Sequence, residues 1–343
     1  MSNTAEVDMP ARATEPWLLL GESRGEAVSV IDFECDTPTR EAVEDTIRLI
    51  HSGRGFDKEG YAQLMAPGWA AQIGMTLEEF NRAKAEIGLT ALALKLCDKD
   101  MERAMSHAQI IAMLDEAGVA HACVGNAGRR ASNEDVARLA AEYPDRLIPW
   151  FRIWGDEGEA GVAKLELGVK ELGCRGFEIA SYRERRAIND PVYLPFLAKC
   201  AELGIPVRIS VGVHLLSDRA YDYAHPRFLD EIAIAFPTLK IIAGLGGWPW
   251  VSDLMAIAMR HPNLFIDFAC RRVKQLLAPG SGYEPLIYYG TRVLQDRILF
   301  ASGWGTSMIP LSQLVRETEA LPLSDTVRAK WMHDNAARVL GLN

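Results

Sequence analysis

The sequence predicts an α/β protein, a parallel (β/α)8 barrel of the TIM type with a helical insertion after its first strand. Three observations predict it. Eight short β-rich runs follow one another from about residue 28, helical patterns separate most of them, and one interval, 37–103, is far longer than the others. Strands that alternate with helices build parallel sheets, because a crossover helix carries the chain back to the same end of the sheet. Eight such units fit a closed barrel better than an open sheet.

The eight runs are 28–34, 119–125, 147–154, 175–180, 206–211, 239–243, 264–269 and 297–302. Between the first pair, the stretch 104–117 spaces Met105, Ala108, Ile111, Ala112 and Leu114 along one helical face. The stretches 133–142, 161–172 and 195–203 behave alike. Gly173 and Gly204 stand where a helix must stop before the next strand, a place that favours a residue free to turn left-handed. The interval 37–103 holds two helical stretches, at about 40–52 and 77–95. An insertion after a barrel strand emerges at the C-terminal face, so this one is expected to cover the mouth. Residues 1–27 read as a tail, anchored at most by Trp17-Leu18-Leu19-Leu20. The domain reading is therefore a tail at 1–27 and a barrel over 28–343 that carries the insertion 37–103.

Hydrophobic residues make up 49% of the chain and charged ones 24%, enough for a large core and too ordered a mixture for a disordered chain. The net charge of −9, without a basic patch, argues against nucleic acid or an anionic membrane as partner. None of the six cysteines forms a C-x-x-C pair, and buried free thiols are expected. The N-terminus lacks a basic segment followed by an apolar one, and no apolar run is long enough to span a bilayer, so a cytoplasmic protein is expected.

Several stretches resemble the amidohydrolase-related family, the branch that contains decarboxylases and lactone hydrolases. Ile31-Asp32-Phe33-Glu34-Cys35-Asp36 is similar to the family's opening strand, which ends Asp-x-His-x-His or Asp-x-Glu-x-His. Met113-Leu114-Asp115-Glu116-Ala117-Gly118-Val119 and Tyr143-Pro144-Asp145-Arg146-Leu147 resemble the approaches to the second and third strands. Gly204-Ile205-Pro206-Val207 resembles the approach to the fifth. Phe236-Pro237-Thr238-Leu239-Lys240-Ile241-Ile242 resembles the sixth strand, Arg297-Ile298-Leu299-Phe300-Ala301-Ser302 the eighth, and 335–342 the closing helix. The resemblance runs over about 28–343, and the order of its pieces is more specific than any one of them.

The resemblance implies a metal at the barrel mouth, held by two ligands from the first strand, a His after the fifth, a His after the sixth and an Asp after the eighth. This sequence departs at most of those positions. Glu34 is an accepted variant of the first ligand, but Asp36 replaces the second His, Ser210 the fifth-strand His, Gly244 the sixth-strand His and Gly303 the eighth-strand Asp. A catalytic zinc normally has three protein ligands. Of the seven histidines only His214 follows a strand's C-terminal end, so a residual metal set would be Glu34, Asp36 and His214, against a loop histidine of structural use.

Alternation along strands places Arg208 inside the barrel, two residues before Ser210, and Asp32 and Glu34 inside as well. Carboxylates gathered in a low-dielectric interior need a counter-charge. Arg208 is therefore expected to pair with Glu34 or Asp32 where the family holds its metal, unless its head reaches solvent at the barrel end. Gly244-Leu245-Gly246-Gly247 lacks the lysine and helix start of a phosphate loop. Trp248, Trp250 and Trp304 either fill the emptied mouth or meet a partner chain.

Two functions follow from the resemblance. In the first, the chain is a non-catalytic or auxiliary subunit of a hetero-oligomeric metalloenzyme, supporting a paralogous barrel that keeps the divalent metal, with no cofactor of its own. The family includes a two-chain 2-aminoisobutyrate hydroxylase built from such barrels, and the chain resembles a companion subunit of that sort. In the second, it is a divergent hydrolase or decarboxylase for a small carboxylate or amide, with a rebuilt or metal-free site in which Glu34 and Asp267 do acid–base work.

Overall fold

A computed structural model of the chain describes residues 29–342 apart from 53–58, 126–130 and 308. The tail expected at 1–27, with Trp17–Leu20, lies outside the described residues. Eight strands follow in order: β1 (Val30–Cys35), β2 (Val119–Val124), β3 (Leu147–Arg152), β4 (Gly176–Ile179), β5 (Val207–Ser210), β6 (Ile241–Gly244), β7 (Leu264–Asp267) and β8 (Ile298–Leu299). Each pairs in parallel with the next, so spatial order equals chain order. At the seam between β1 and β8, the Phe33 amide donates to the Phe300 carbonyl at 3.0 Å and the Gly303 amide to the Glu34 carbonyl at 2.9 Å. The result is the (β/α)8 barrel expected.

Alternation sorts the side chains. Val124, Phe151, Ile209, Ala243 and Ile266 face outward and pack against the helices. Ile31, Phe33, Trp150, Ile242, Phe265 and Leu299 fill the interior, with Phe33 and Trp150 edge to face at 5.2 Å. The closing helix Asn335–Leu340 adds Ala336, Val339 and Leu340 to this cluster and so stoppers the N-terminal end. Each fully buried side chain of this size contributes about 1.5–3 kcal/mol. The lower barrel is thus a dry plug, and polar interior groups are confined to the half near the C-terminal strand ends.

Ser106 and Ser132 cap the helices His107–Glu116 and Asn133–Glu142, and Gly204 ends Leu194–Leu203 in the left-handed conformation. The insertion holds three helices rather than the two expected: α1 (Arg40–Ser52), α2 (Glu59–Gln72) and α3 (Leu77–Glu102). Helix α2 carries Pro67 in its interior, followed by Gly68, the pair that reads as a turn in sequence. Helix α3 runs past the expected end at 95 and bends at Gly88, whose φ is 79°. Trp69, Phe80, Leu92 and Leu96 give the insertion a core of its own. No helix among the described residues is long and apolar enough to cross a membrane.

Candidate functional site

The last interior layer before the C-terminal strand ends is built of charge. Arg208 on β5 is 1% exposed. Its Nε donates to Asp267 Oδ2 at 2.6 Å, its Nη2 to Asp267 Oδ1 at 3.2 Å and to Glu34 Oε2, and its Nη1 to Glu178 Oε1 at 3.2 Å. The other oxygen of Glu178 accepts from Arg152 Nη2. Sheet register explains the arrangement: Arg152, Glu178 and Arg208 stand opposite one another on β3, β4 and β5. Charges of alternating sign therefore meet across three neighbouring strands. Asp267 is fixed further by the Leu245 amide at 3.0 Å and the Ala269 amide at 3.1 Å.

Burial works against the charge of Arg208, but Asp267 and Glu34 outweigh it and hold the guanidinium protonated more firmly than usual. Burial pushes the Glu34 carboxyl well above its ordinary range; Arg208 opposes this, and Asp267 and Glu178 add to it.

Strand β1 does not follow simple alternation. Its pairing with β2 shifts register between Asp32 and Cys35. Ile31 and Phe33 belong to the interior cluster. Asp32, between them, instead meets the seam: it accepts from the Ser302 amide at 2.8 Å and from Ser302 Oγ at 2.6 Å. The irregularity then turns Glu34 onto Arg208, as bulges re-aim side chains. The expectation that Asp32 shares the interior with Glu34 is thus corrected. Burial pushes the Asp32 carboxyl up to about 7, against the pull of its Ser302 hydrogen bonds. Asp36 is buried beyond the same irregularity and accepts from the Gly305 amide at 3.0 Å. Glu34 and Asp36 therefore do not converge.

Ser210 and Gly244 stand opposite each other on β5 and β6. A Cβ on Gly244 would lie 2.7 Å from the Arg208 guanidinium carbon, so the absence of a side chain at 244 is what admits the arginine. A Cβ on Gly303 would lie 2.4 Å from Cys270 Sγ. His214 is buried in the loop after β5. Its Nε2 donates to the Ala220 carbonyl at 2.8 Å, its Nδ1 accepts from the Leu216 amide at 3.3 Å, and its ring stacks on Tyr182. Both nitrogens are thus engaged by backbone, and the ring does not join Glu34 and Asp36.

These residues do not fit the divalent metal that the resemblance implies. The carboxylates of Glu34 and Asp267 already bind Arg208, two of the expected ligands are glycines that neighbours have closed over, and a cation there would face a fixed guanidinium charge. Among the described residues, no group of three or more His, Cys, Asp or Glu is placed to hold a metal.

Sequence reasoning missed Glu178 and Arg152. The signal was present: each is a charged residue near the end of an otherwise apolar strand run, as Arg208 is. Of the three tryptophans, Trp304 donates its Nε1 to the Asp36 carbonyl at 3.0 Å, Trp250 lies against His225 at 4.3 Å, and Trp248, 40% exposed, donates to the Ser281 carbonyl at 2.9 Å. They line the rim instead of filling the interior.

Solved structures share this fold. An uncharacterized TIM-barrel protein from Bordetella bronchiseptica superposes with a TM-score of 0.64 at 23% identity, covering 91% of this chain and 98% of its own. A 5-carboxyvanillate decarboxylase from Novosphingobium aromaticivorans, complexed with manganese and a nitrobenzoic acid, gives 0.62 at 19% identity, covering 91% and 96%. A 2,6-dihydroxybenzoate decarboxylase from Rhizobium gives 0.54 at 16% identity, covering 70% and 89%. No curated protein matches the chain. The sequence model of the amidohydrolase family matches residues 98–342, from the end of the insertion through the closing helix. The chain belongs to the amidohydrolase family.

Proposed function

We propose that this chain is a non-catalytic subunit of a hetero-oligomeric enzyme, in which Arg208 takes the place of the metal and a paralogous barrel with intact ligands performs the chemistry. The observation that carries the reading is the Arg208 cluster. A buried guanidinium whose three nitrogens each donate to a carboxyl group of the protein is a structural centre rather than a reactive one. The 5-carboxyvanillate decarboxylase that shares the fold is complexed with manganese, and in this chain the carboxyl groups that could hold such an ion accept hydrogen bonds from Arg208 instead.

The test is to purify the full chain alone and together with a co-expressed intact paralogue, then measure metal by elemental analysis and the particle by mass. The chain alone is expected to carry less than about one-tenth of a metal per barrel, and the pair to carry the metal of the intact chain only. One metal per isolated chain, or failure of the two chains to associate, overturns the reading.

A second reading has one observation in its favour. Asp32, with its carboxyl pushed up to about 7, hydrogen-bonds Ser302 Oγ at the seam of the barrel. A group that can hold or release a proton near neutrality suits a metal-free hydrolase or decarboxylase for a small carboxylate or amide. Turnover by the isolated chain in the presence of a chelator, lost on Asp32→Asn, would favour it over the first.

A further inference from the structure

A cavity of about 500 Å³ lies past the C-terminal ends of β1 and β8, where Asp36 and Trp304 line it, between α1 and α3 of the insertion on one side and the helices His107–Glu116 and Leu311–Glu319 on the other. It does not include the Arg208 layer. Most of its lining is apolar, with Val43, Met105, Met113, Ile309 and Leu311 among the walls. A volume of this size holds a small organic molecule.

Two features set what kind of molecule. Gln72, at the end of α2, lines the cavity and is only 8% exposed. Its Nε2 donates to Asp100 Oδ1 at 2.5 Å, which fixes the amide's orientation, because the opposite flip would face oxygen with oxygen. The atom left over is therefore Oε1, a buried acceptor without a hydrogen-bond partner. A buried acceptor in this state costs about 1–3 kcal/mol until a donor reaches it. The second feature is charge: Asp36, Asp100 and Glu116 line the cavity against one cation among the described lining residues, Arg103, which sits exposed at the rim. A positively charged donor head suits the Gln72 acceptor and the Asp100 carboxylate beside it.

We propose that this cavity binds a small primary ammonium compound with an apolar body, its head donating to Gln72 Oε1 beside Asp100. A carboxylate is the competing class, because Arg103 would receive it at the rim, but its head would meet the acidic wall and leave Gln72 unsatisfied.

Hexylammonium, hexanol and hexanoate carry one body and three heads. Calorimetric titration of the full chain is expected to show one hexylammonium bound per chain, about tenfold tighter than hexanol, as a charged hydrogen bond exceeds a neutral one. Hexanoate is expected not to bind. Gln72→Leu removes the acceptor and is expected to weaken hexylammonium about tenfold and hexanol by less, bringing the two affinities together. Thr46→Phe, which narrows the cavity from α1 without touching Gln72, is expected to abolish binding of both and serves if Gln72→Leu does not fold. Hexanoate binding as tightly as hexylammonium, no binding of any of the three, or hexylammonium binding unaffected by either variant overturns the proposal.

Discussion

Replacing Arg208 by methionine removes the one group among the described residues that contacts Glu34, Glu178 and Asp267 together, and leaves a side chain of similar length in the same space. Glu178 keeps Arg152, and Asp267 keeps two backbone amides. Glu34 keeps none of its side-chain partners in the cluster. Taking one partner out of a buried ion group costs about 3–5 kcal/mol, because the orphaned charge is more expensive than the pair was valuable. The cost is expected to be at the upper end at pH 8 and to fall as the pH is lowered. Without Arg208 to oppose burial, the Glu34 carboxyl is held still further above its ordinary range, so its stabilising neutral form is kept at low pH and lost as pH rises. Urea unfolding of Arg208→Met at pH 5.5 and pH 8, beside the triple variant with Glu34→Gln and Asp267→Asn, measures both effects. The triple variant is expected to regain most of the loss, because it removes the orphaned charges with the cation. A loss below about 1 kcal/mol at pH 8, the size of a surface ion pair, would refute the claim that Arg208 is the buried centre of the layer.

Gly244→Ala is expected to cost about 1–3 kcal/mol in urea unfolding and to become nearly neutral in an Arg208→Ala background, since the collision is with the guanidinium; additive losses would count against the contact. Asp32, with its carboxyl raised from 3.8 to about 7, stabilises the fold below pH 4 and loses that contribution as pH rises through 7, so stability is expected to fall by about 2–3 kcal/mol between pH 5 and pH 8 from this group. Asp32→Asn should flatten that slope, and an unchanged slope would remove Asp32 as its cause. His214→Ala is expected to lower stability by about 1–2 kcal/mol through the loss of two backbone hydrogen bonds, with no change in metal content or affinity; a change in either would return His214 to the ligand set. Ser210→His with Gly244→His is expected to bind no manganese while Arg208 remains, and to bind it once Arg208→Ala is added; paramagnetic resonance of the titrated metal reads both.

The barrel was legible because its signal is repeated eight times. Apolar runs such as 206–211 and 264–269 appear as strands because both their faces are buried, and Gly204 marks a helix end because a left-handed residue is required there. Helix α2 was not legible, because Pro67 and Gly68 carry turn character that tertiary packing of Trp69 and Ala70 overrides. The inward aim of Arg208 could be read from strand parity on β5, which is regular. The aim of Asp32 could not, because the register shift in β1 leaves no mark in Ile31-Asp32-Phe33-Glu34. Which carboxylates Arg208 meets depends on the stagger of neighbouring strands, which is a property of barrel closure and not of any local segment. Glu178 and Asp267 were each visible as charges in apolar runs, and only register made them partners.

The substitutions in this barrel are coupled in a way that single positions do not reveal. Glycine at 244, where the resemblance implies a ligand, leaves the space into which the guanidinium of Arg208 fits. Glycine at 303 similarly admits Cys270. Once Arg208 occupies the layer, a histidine returned to 244 meets it, and an aspartate returned to 303 meets the cysteine. Each single step back toward the family's ligand set therefore costs stability before any metal can compensate. Conversely, a metal-site barrel that lost its cation without gaining Arg208 would hold buried carboxylates with nothing to balance them. The Arg208 centre and the glycine at 244 thus depend on each other, which is the physical ground for treating this layer as a settled structure.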